Sequence, residues 1–169
     1  MSHDLLGHEH DILPQDAMKA VVALSRAGRI LPDTYPARKI RYGEAAAKAF
    51  AWLQTTAKPL GAYGFQFLQR GLPGDTPIPA DEWPTRQVVQ LLWAGFERWL
   101  STGAEADKDY CVARARELRS RQIPADRPEA GYHGHFVEFP SLPHSESAWR
   151  HGIARLDFGT DLGISSPTT

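Results

Sequence analysis

The sequence predicts an α+β fold: a helical core of four or five helices, with its central helix at about 82–101, and a C-terminal antiparallel β-hairpin. Apolar residues recur at helical spacing as far as about residue 120, and beyond Pro124 short alternating runs are bounded by Gly, Pro and Ser. The 169 residues are the length of one typical domain, and 42% apolar with 23% charged residues is an ordinary globular composition. We expect one domain at 16–160, between flexible ends at 1–15 and 161–169.

The first predicted helix covers about 16–28. Asp16 is a good N-cap, Gly28 is a typical terminating residue, and one face is apolar, formed by Ala17, Val21, Leu24 and Ala27. Pro32 and Pro36 then predict an extended connection.

A second helix is predicted at about 43–57, where Pro59 stops it and a buried stripe is formed by Ala46, Ala49, Phe50 and Leu53. Residues 60–70 fit a strand and a helix equally well, and the helical surroundings favour a short helix. Residues 71–80 contain two glycines and three prolines, which predict a loop.

The strongest helical pattern lies at about 82–101. Asp81 can cap it, Pro84 lies in its first turn, and Thr102–Gly103 ends it. One face is formed by Val88, Leu91, Leu92, Phe96 and Trp99. Because Val89, Trp93 and Leu100 extend the apolar surface nearly all round, we expect this helix to be central and buried on most sides.

A further helix is predicted at about 104–120. Its first turns are acidic and its last turns basic, as the helix dipole favours. The residues expected to face inward are Tyr110, Cys111, Ala115 and Leu118. Residues 131–139 and 151–158 then alternate as two strands, which we expect to pair and to cover the helices.

Charge and composition argue against several classes of function. The formal charge is −1, which argues against a dedicated nucleic-acid binder. The single cysteine, Cys111, cannot form an intramolecular disulfide and is typical of a reducing compartment. The N-terminus lacks the pattern of a signal peptide, and no apolar run is long enough to span a membrane. We therefore expect a cytoplasmic protein.

Histidines near the C-terminus form the first candidate site. In a strand, His133 and His135 project from the same face, as paired metal ligands do. His144, His151 or Asp157 could complete such a site. We expect no cofactor, and if these side chains converge on an ion, that ion is a divalent transition metal. The alternatives are exposed histidines and an acid–base role for one of them. A second cluster, expected to be a flexible terminus, contains His3, His8, Glu9, His10 and Asp11.

A basic run forms a third candidate, for anions or nucleic acid, and contains Arg114, Arg116, Arg119, Arg121 and Arg127. Helical spacing places Arg114 and Arg121 on one face and Arg116 and Arg119 on another. Phosphate contacts are one interpretation. The helix dipole and a solvated face account for the same placement.

Five tryptophans form the fourth candidate, since tryptophan is enriched at interface hot spots. Trp83 and Trp149 lie in or beside predicted loops and are candidates for partner contact. The pattern of Trp52-Leu53, Leu60-Gly61, Leu68 and Gly71 resembles the toxin-binding region of some bacterial antitoxins. The later half of the chain does not follow that family, so no residue roles are taken from it.

The function predicted first is a small, non-enzymatic, bacterial- or phage-type interaction protein that binds and neutralises another protein. The basis is the near-neutral charge, tryptophans in loops and the lack of nucleophile-elbow, dinucleotide-binding and P-loop motifs. The alternative is a metal-dependent enzyme, most simply a hydrolase, that uses the C-terminal histidines. A weaker alternative is nucleic-acid binding by the arginine run.

Overall fold

The computed structural model describes residues 13–59, 62, 79–123 and 136–141, and the backbone of 153–154. These ranges contain four helices: α1 (Pro14–Ile30), α2 (Pro36–Thr55), α3 (Thr85–Thr102) and α4 (Glu105–Ser120). They also contain two short strands, β1 (Phe136–Val137) and β2 (Ile153–Ala154), which pair antiparallel with Phe136 opposite Ala154. The described part of the chain is therefore mostly helical, with one short strand pair.

Several predicted elements lie outside the described residues. These are the short helix at 60–70 (apart from residue 62), most of the loop at 71–80, and the predicted strands beyond residues 136–139 and 153–154. The predicted β-hairpin and the two flexible ends therefore stay predictions, although Leu13 is the N-cap of α1 and residues 14 and 15 are its first residues.

Both helices of the N-terminal pair begin with a proline, and this differs from the prediction. Pro14 and Pro36 are the first residues of α1 and α2. Proline suits this position because its fixed φ is helical and its missing N–H has no helical acceptor. Asp16 therefore lies in the first turn of α1 instead of capping it. Gly28 lies inside α1, which continues to Ile30 before Pro32 prevents its extension.

The hydrophobic core lies between the four helices. It is formed by Ala17, Met18 and Val21 of α1, Phe50 and Leu53 of α2, and Leu91 and Ala94 of α3. The Tyr110 ring of α4 packs edge-on against Phe50, with the ring centroids 5.1 Å apart. Because α3 packs against α1, α2 and α4, its predicted central position is confirmed.

Helices α3 and α4 approach each other closely at Gly95. A Cβ atom added there would lie 2.8 Å from Tyr110 Cδ1 and 3.2 Å from Cys111 Sγ. The two helices are joined by Gly103, which has φ +67° and ends α3 as predicted. Tyr110, Cys111 and Leu118 face inward as predicted, whereas Ala115 is exposed.

The segment 136–141 is attached where α3 begins and α4 ends. The Thr85 N–H donates a 3.0 Å hydrogen bond to the Glu138 carbonyl, and the Val137 N–H donates a 2.9 Å bond to the Arg121 carbonyl. Phe139 is buried at this junction. None of the described helices has the length and apolar character needed to cross a membrane.

Candidate functional site

The surface of α3 that points away from the core is apolar along the length of the helix. We call it the α3 outer face, and it consists of Val89, Leu92, Trp93, Phe96, Trp99 and Leu100. These residues recur three and four positions apart, which places them on one side of a helix. Phe96 and Leu100 are each 42% exposed, and the other four are half-buried. Phe96 was predicted to be buried with Val88, and its exposure corrects that prediction.

A buried ion-pair network fixes the edge of this face to α1. Arg26 donates two hydrogen bonds to Glu97 Oε1, of 3.0 Å from Nε and 2.6 Å from Nη2, and Arg29 donates a 3.0 Å bond to Oε2. The Glu97 side chain is only 1% exposed. Its burial acts to raise the pKa of the carboxyl, but the hydrogen bonds and charges of Arg29 and Arg26 together outweigh burial and lower that pKa. Glu97 is therefore held ionised.

Ser101 adds a second link between the same helices. Its hydroxyl lies 3.0 Å from the Ser25 carbonyl of α1 and 2.8 Å from the Glu97 carbonyl one turn earlier in α3. Together with the ion pairs, this link joins α3 to α1 at two successive turns of α3, beside the α3 outer face.

The exposed charges beside the α3 outer face are positive. The Arg26 guanidinium lies 5.9 Å from the centre of the Trp93 ring, and its side chain is 51% exposed. Arg86 lies at the start of the same helix with 68% of its side chain exposed. The carboxylates that pair with these arginines, Glu97 and Glu138, are almost completely buried. The apolar face thus has a basic border.

Arg121, the residue directly after α4, is the centre of a polar junction at the C-terminal end of that helix. Its Nη1 donates a 2.6 Å bond to the Trp83 carbonyl and a 3.0 Å bond to Thr85 Oγ1, while its Nη2 donates a 2.7 Å bond to Glu117 Oε1. The Thr85 hydroxyl also donates to the Val137 carbonyl. Arg121 is 6% exposed, so its guanidinium serves to join α3, α4 and the segment 136–141.

Glu138 completes this junction. It accepts a 2.7 Å hydrogen bond from Arg86 Nε. Burial raises the pKa of the Glu138 carboxyl, and the charges of Arg86 and Arg121 only partly oppose that rise. Glu138 and Glu97 are thus two buried glutamates whose pKa values are shifted in opposite directions.

The remaining arginines of the basic run have different surroundings. Arg114 is half-buried, with its guanidinium 5.4 Å from the Tyr110 ring and a 2.6 Å ion pair to Glu117. Arg116 and Arg119 are exposed. The four residues do not form one anion site, and Arg127 lies outside the described residues. An anion or nucleic-acid role at Arg116 and Arg119 stays a prediction.

Trp83, predicted to contact a partner, is half-buried and packs against the core cluster. The other residue of that prediction, Trp149, lies outside the described residues. The predicted metal ligands His133, His135, His144, His151 and Asp157 also lie outside them, as does the N-terminal histidine cluster. Among the residues that the structure describes, no group of His, Cys, Asp and Glu is placed to hold a metal ion.

Sequence reasoning did not identify the roles of Glu97, Arg26 and Arg29. A signal was present, because Glu97 is the only acidic residue in α3 and its spacing from Ala94 and Ser101 places it on the side that meets α1. Arg26 and Arg29 recur three apart on α1, which is the spacing for one helical face. No pattern within either helix indicates which face of the other it meets.

Comparison of the chain with protein-family models, with curated proteins and with solved structures finds no match.

Proposed function

We propose that this chain is a non-enzymatic, cytoplasmic interaction protein that binds another protein through the α3 outer face. Binding would neutralise or restrain the partner, as immunity proteins, antitoxins and phage-encoded inhibitors do. The observation that supports the proposal is the α3 outer face itself, which carries six apolar side chains and no charge.

The composition of this face fits a binding surface better than a solvated helix. A surface helix of a monomer ordinarily carries charged and polar residues on the side opposite its core. The α3 outer face instead carries Trp93, Phe96 and Trp99, and aromatic residues are enriched at interface cores and hot spots. The Phe96 and Trp99 rings lie 6.0 Å apart and form a pair of aromatic anchors.

The partner is inferred to be an amphipathic helix with acidic residues beside its apolar stripe. An α-helical surface with apolar residues every three or four positions is complementary to the apolar stripe of a second helix. The exposed arginines of the border, Arg26 and Arg86, select acidic flanks on that helix. A basic partner helix would bring like charges together at this border.

The experiment combines site-specific crosslinking with binding by purified components. A photo-crosslinking amino acid is placed at position 100 on the α3 outer face and, as a control, at position 40 on α2, where Ile40 is 62% exposed. A protein captured at position 100 and not at position 40 is purified and titrated against the wild-type chain. Phe96→Ser and Leu100→Ser are expected to raise its Kd about 10- to 100-fold, whereas Ile40→Ser leaves Kd unchanged.

Three outcomes would contradict the proposal. These are equal capture at both positions, a purified partner whose Kd is insensitive to Phe96→Ser and Leu100→Ser, and crosslinking at position 100 to nucleic acid instead of protein. The acidic-helix inference has a separate check. Binding by the wild-type chain should weaken as the salt concentration rises, because the arginines of the border are exposed and their charges are screened.

A further inference from the structure

The solvent-facing side of α4 has a charge pattern that reverses about its centre. We call it the α4 outer stripe, and it consists of Glu105, Asp109, Val112, Arg116 and Arg119. These residues are spaced four, three, four and three apart, so they lie on one side of the helix. All five are exposed, and Val112 at the centre is 39% exposed although it is apolar.

The helix dipole explains only the ends of this stripe. Glu105 lies in the first turn of α4 and Arg119 in the last. The effect of the dipole is confined to those turns, so it gives no reason for Asp109 and Arg116, each one turn further in. Asp109, Arg116 and Arg119 form no salt bridge within the described part of the chain. The inner charges are therefore available to a partner.

We propose that a second copy of this chain packs on the α4 outer stripe, with the two α4 helices antiparallel and Val112 at the two-fold axis. In this arrangement Asp109 lies opposite the second copy's Arg116, and Glu105 lies opposite its Arg119. A two-fold interface uses the same surface on both copies, so each attractive pair occurs twice. Parallel helices would place acid against acid and arginine against arginine.

Two other features are compatible with a helix packed on this stripe. Ala113 and Ala115 beside Val112 are exposed and small, so they leave room for a second helix to approach. Lys108 pairs with Glu105 at 2.7 Å, but both groups are largely exposed, and such a pair exchanges readily for another. A second copy is the occupant because the complementary charge order, read in the opposite direction, is carried by this chain itself.

Charge-reversal variants of the full chain test the pairing. One variant is Arg116→Glu/Arg119→Glu, which makes the stripe acidic at both ends. The other is Glu105→Lys/Asp109→Lys, which makes it basic at both ends. Sedimentation equilibrium at about 50 mM salt, where screening is weak, should show reversible dimerisation of the wild type and at least tenfold weaker self-association of each variant alone. An equimolar mixture of the two variants should recover dimers of wild-type affinity, since each acidic end then meets a basic end.

A cysteine crosslink gives a second, geometric test in a Cys111→Ser background. Val112→Cys should form an intermolecular disulfide on mild oxidation because the two-fold axis brings position 112 against itself. Glu105→Cys should not crosslink to itself but should crosslink to Arg119→Cys when the two are mixed. A wild type that stays monomeric, a variant mixture that does not associate, or self-crosslinking at position 105 would each overturn the proposal. None of these results bears on the α3 outer face, which belongs to another helix.

Discussion

The close contact of α3 and α4 at Gly95 makes a quantitative prediction about stability. Gly95 lies inside α3 and has no positive φ, so alanine can adopt its backbone conformation. The new Cβ would nevertheless lie 2.8 Å from Tyr110 Cδ1 and 3.2 Å from Cys111 Sγ. Tyr110 cannot move aside freely, because its ring packs against Phe50 on one side and Arg114 on another.

The size of the effect follows from a comparison with Gly43 in α2. A Cβ atom at Gly43 meets nothing within 4 Å. Replacement of a helical glycine by alanine stabilises the folded protein by about 1 kcal/mol, so Gly43→Ala should raise the free energy of unfolding by about that amount. Gly95→Ala should have the same favourable helix propensity, but overpacking against Tyr110 and Cys111 should lower its free energy of unfolding by about 1–3 kcal/mol. The two variants should therefore differ by about 1–3 kcal/mol, with Gly95→Ala the less stable.

Urea unfolding followed by tryptophan fluorescence measures this difference, and helix content by circular dichroism confirms that both variants fold. Gly28→Ala is a control that lies between these two cases, because its Cβ would make ordinary contacts of 3.5 Å to the Lys39 carbonyl and 3.8 Å to the Gly43 nitrogen. It should be close to neutral or mildly stabilising. If Gly95→Ala unfolds at the same urea concentration as Gly43→Ala or a higher one, the close approach of α3 and α4 is not as described.

The remaining predictions concern buried charges and the metal site. The pKa of Glu97 is lowered on folding, so the ionised carboxylate stabilises the folded state above the ordinary pKa of about 4.3. This contribution is lost as pH falls through the lowered value. Glu97→Gln should therefore flatten the acid limb of the curve of folding stability against pH. The pKa of Glu138 is raised, so ionising its carboxyl costs stability as pH rises from the ordinary pKa of about 4.3 towards the raised value, and Glu138→Gln should remove that loss. An unchanged stability–pH curve would contradict either assignment. Arg121→Lys should lower the free energy of unfolding by about 2 kcal/mol, because lysine lacks the planar guanidinium that donates to several acceptors at once. A decrease in that free energy of less than about 0.5 kcal/mol would refute this role of Arg121. Elemental mass spectrometry of tag-free protein should find no stoichiometric metal; near-stoichiometric metal that is lost in His133→Ala/His135→Ala would instead establish the metal-dependent alternative.

The positions of the described helices follow from periodicity, but the start of α2 does not. The interval containing Pro32 and Pro36 was predicted to be an extended connection, because proline usually interrupts helices. Pro36 instead begins α2, seven residues before the predicted start. A proline can end the helix that precedes it, or it can begin the helix that follows it. The sequence pattern around Pro32 and Pro36 does not distinguish these two roles. Gly28 shows the same ambiguity, since a glycine inside a helix and one just after it look alike in sequence.

The composition of α3 was correctly interpreted as a central helix, but the burial predicted for it does not extend to Phe96 and Leu100, which are each 42% exposed. An apolar residue in a helix indicates that some surface covers it, but not that the surface belongs to the same chain. Val88 and Leu91 are covered by the core, whereas Phe96 and Leu100 are exposed. The distinction depends on how many neighbours α3 has, which is a property of the whole arrangement of helices. Apolar residues in excess of what those neighbours cover are the signal of a binding surface, and they become visible only when the neighbours are placed.

The arginines of α4 show how far helical spacing can assign a role. Spacing alone separates Arg114 and Arg121 from Arg116 and Arg119, and the structure agrees, since the first two are at least half-buried and the last two are exposed. Spacing does not show why Arg121 is the more deeply buried member of its pair. Besides Glu117, its partners are the start of α3 and the segment 136–141, both distant in sequence, and a helical period contains no information about those two. A charged residue on the inward face of a helix therefore predicts a structural ion pair or hydrogen-bond network, and only the outward-facing members of such a run remain candidates for binding another molecule.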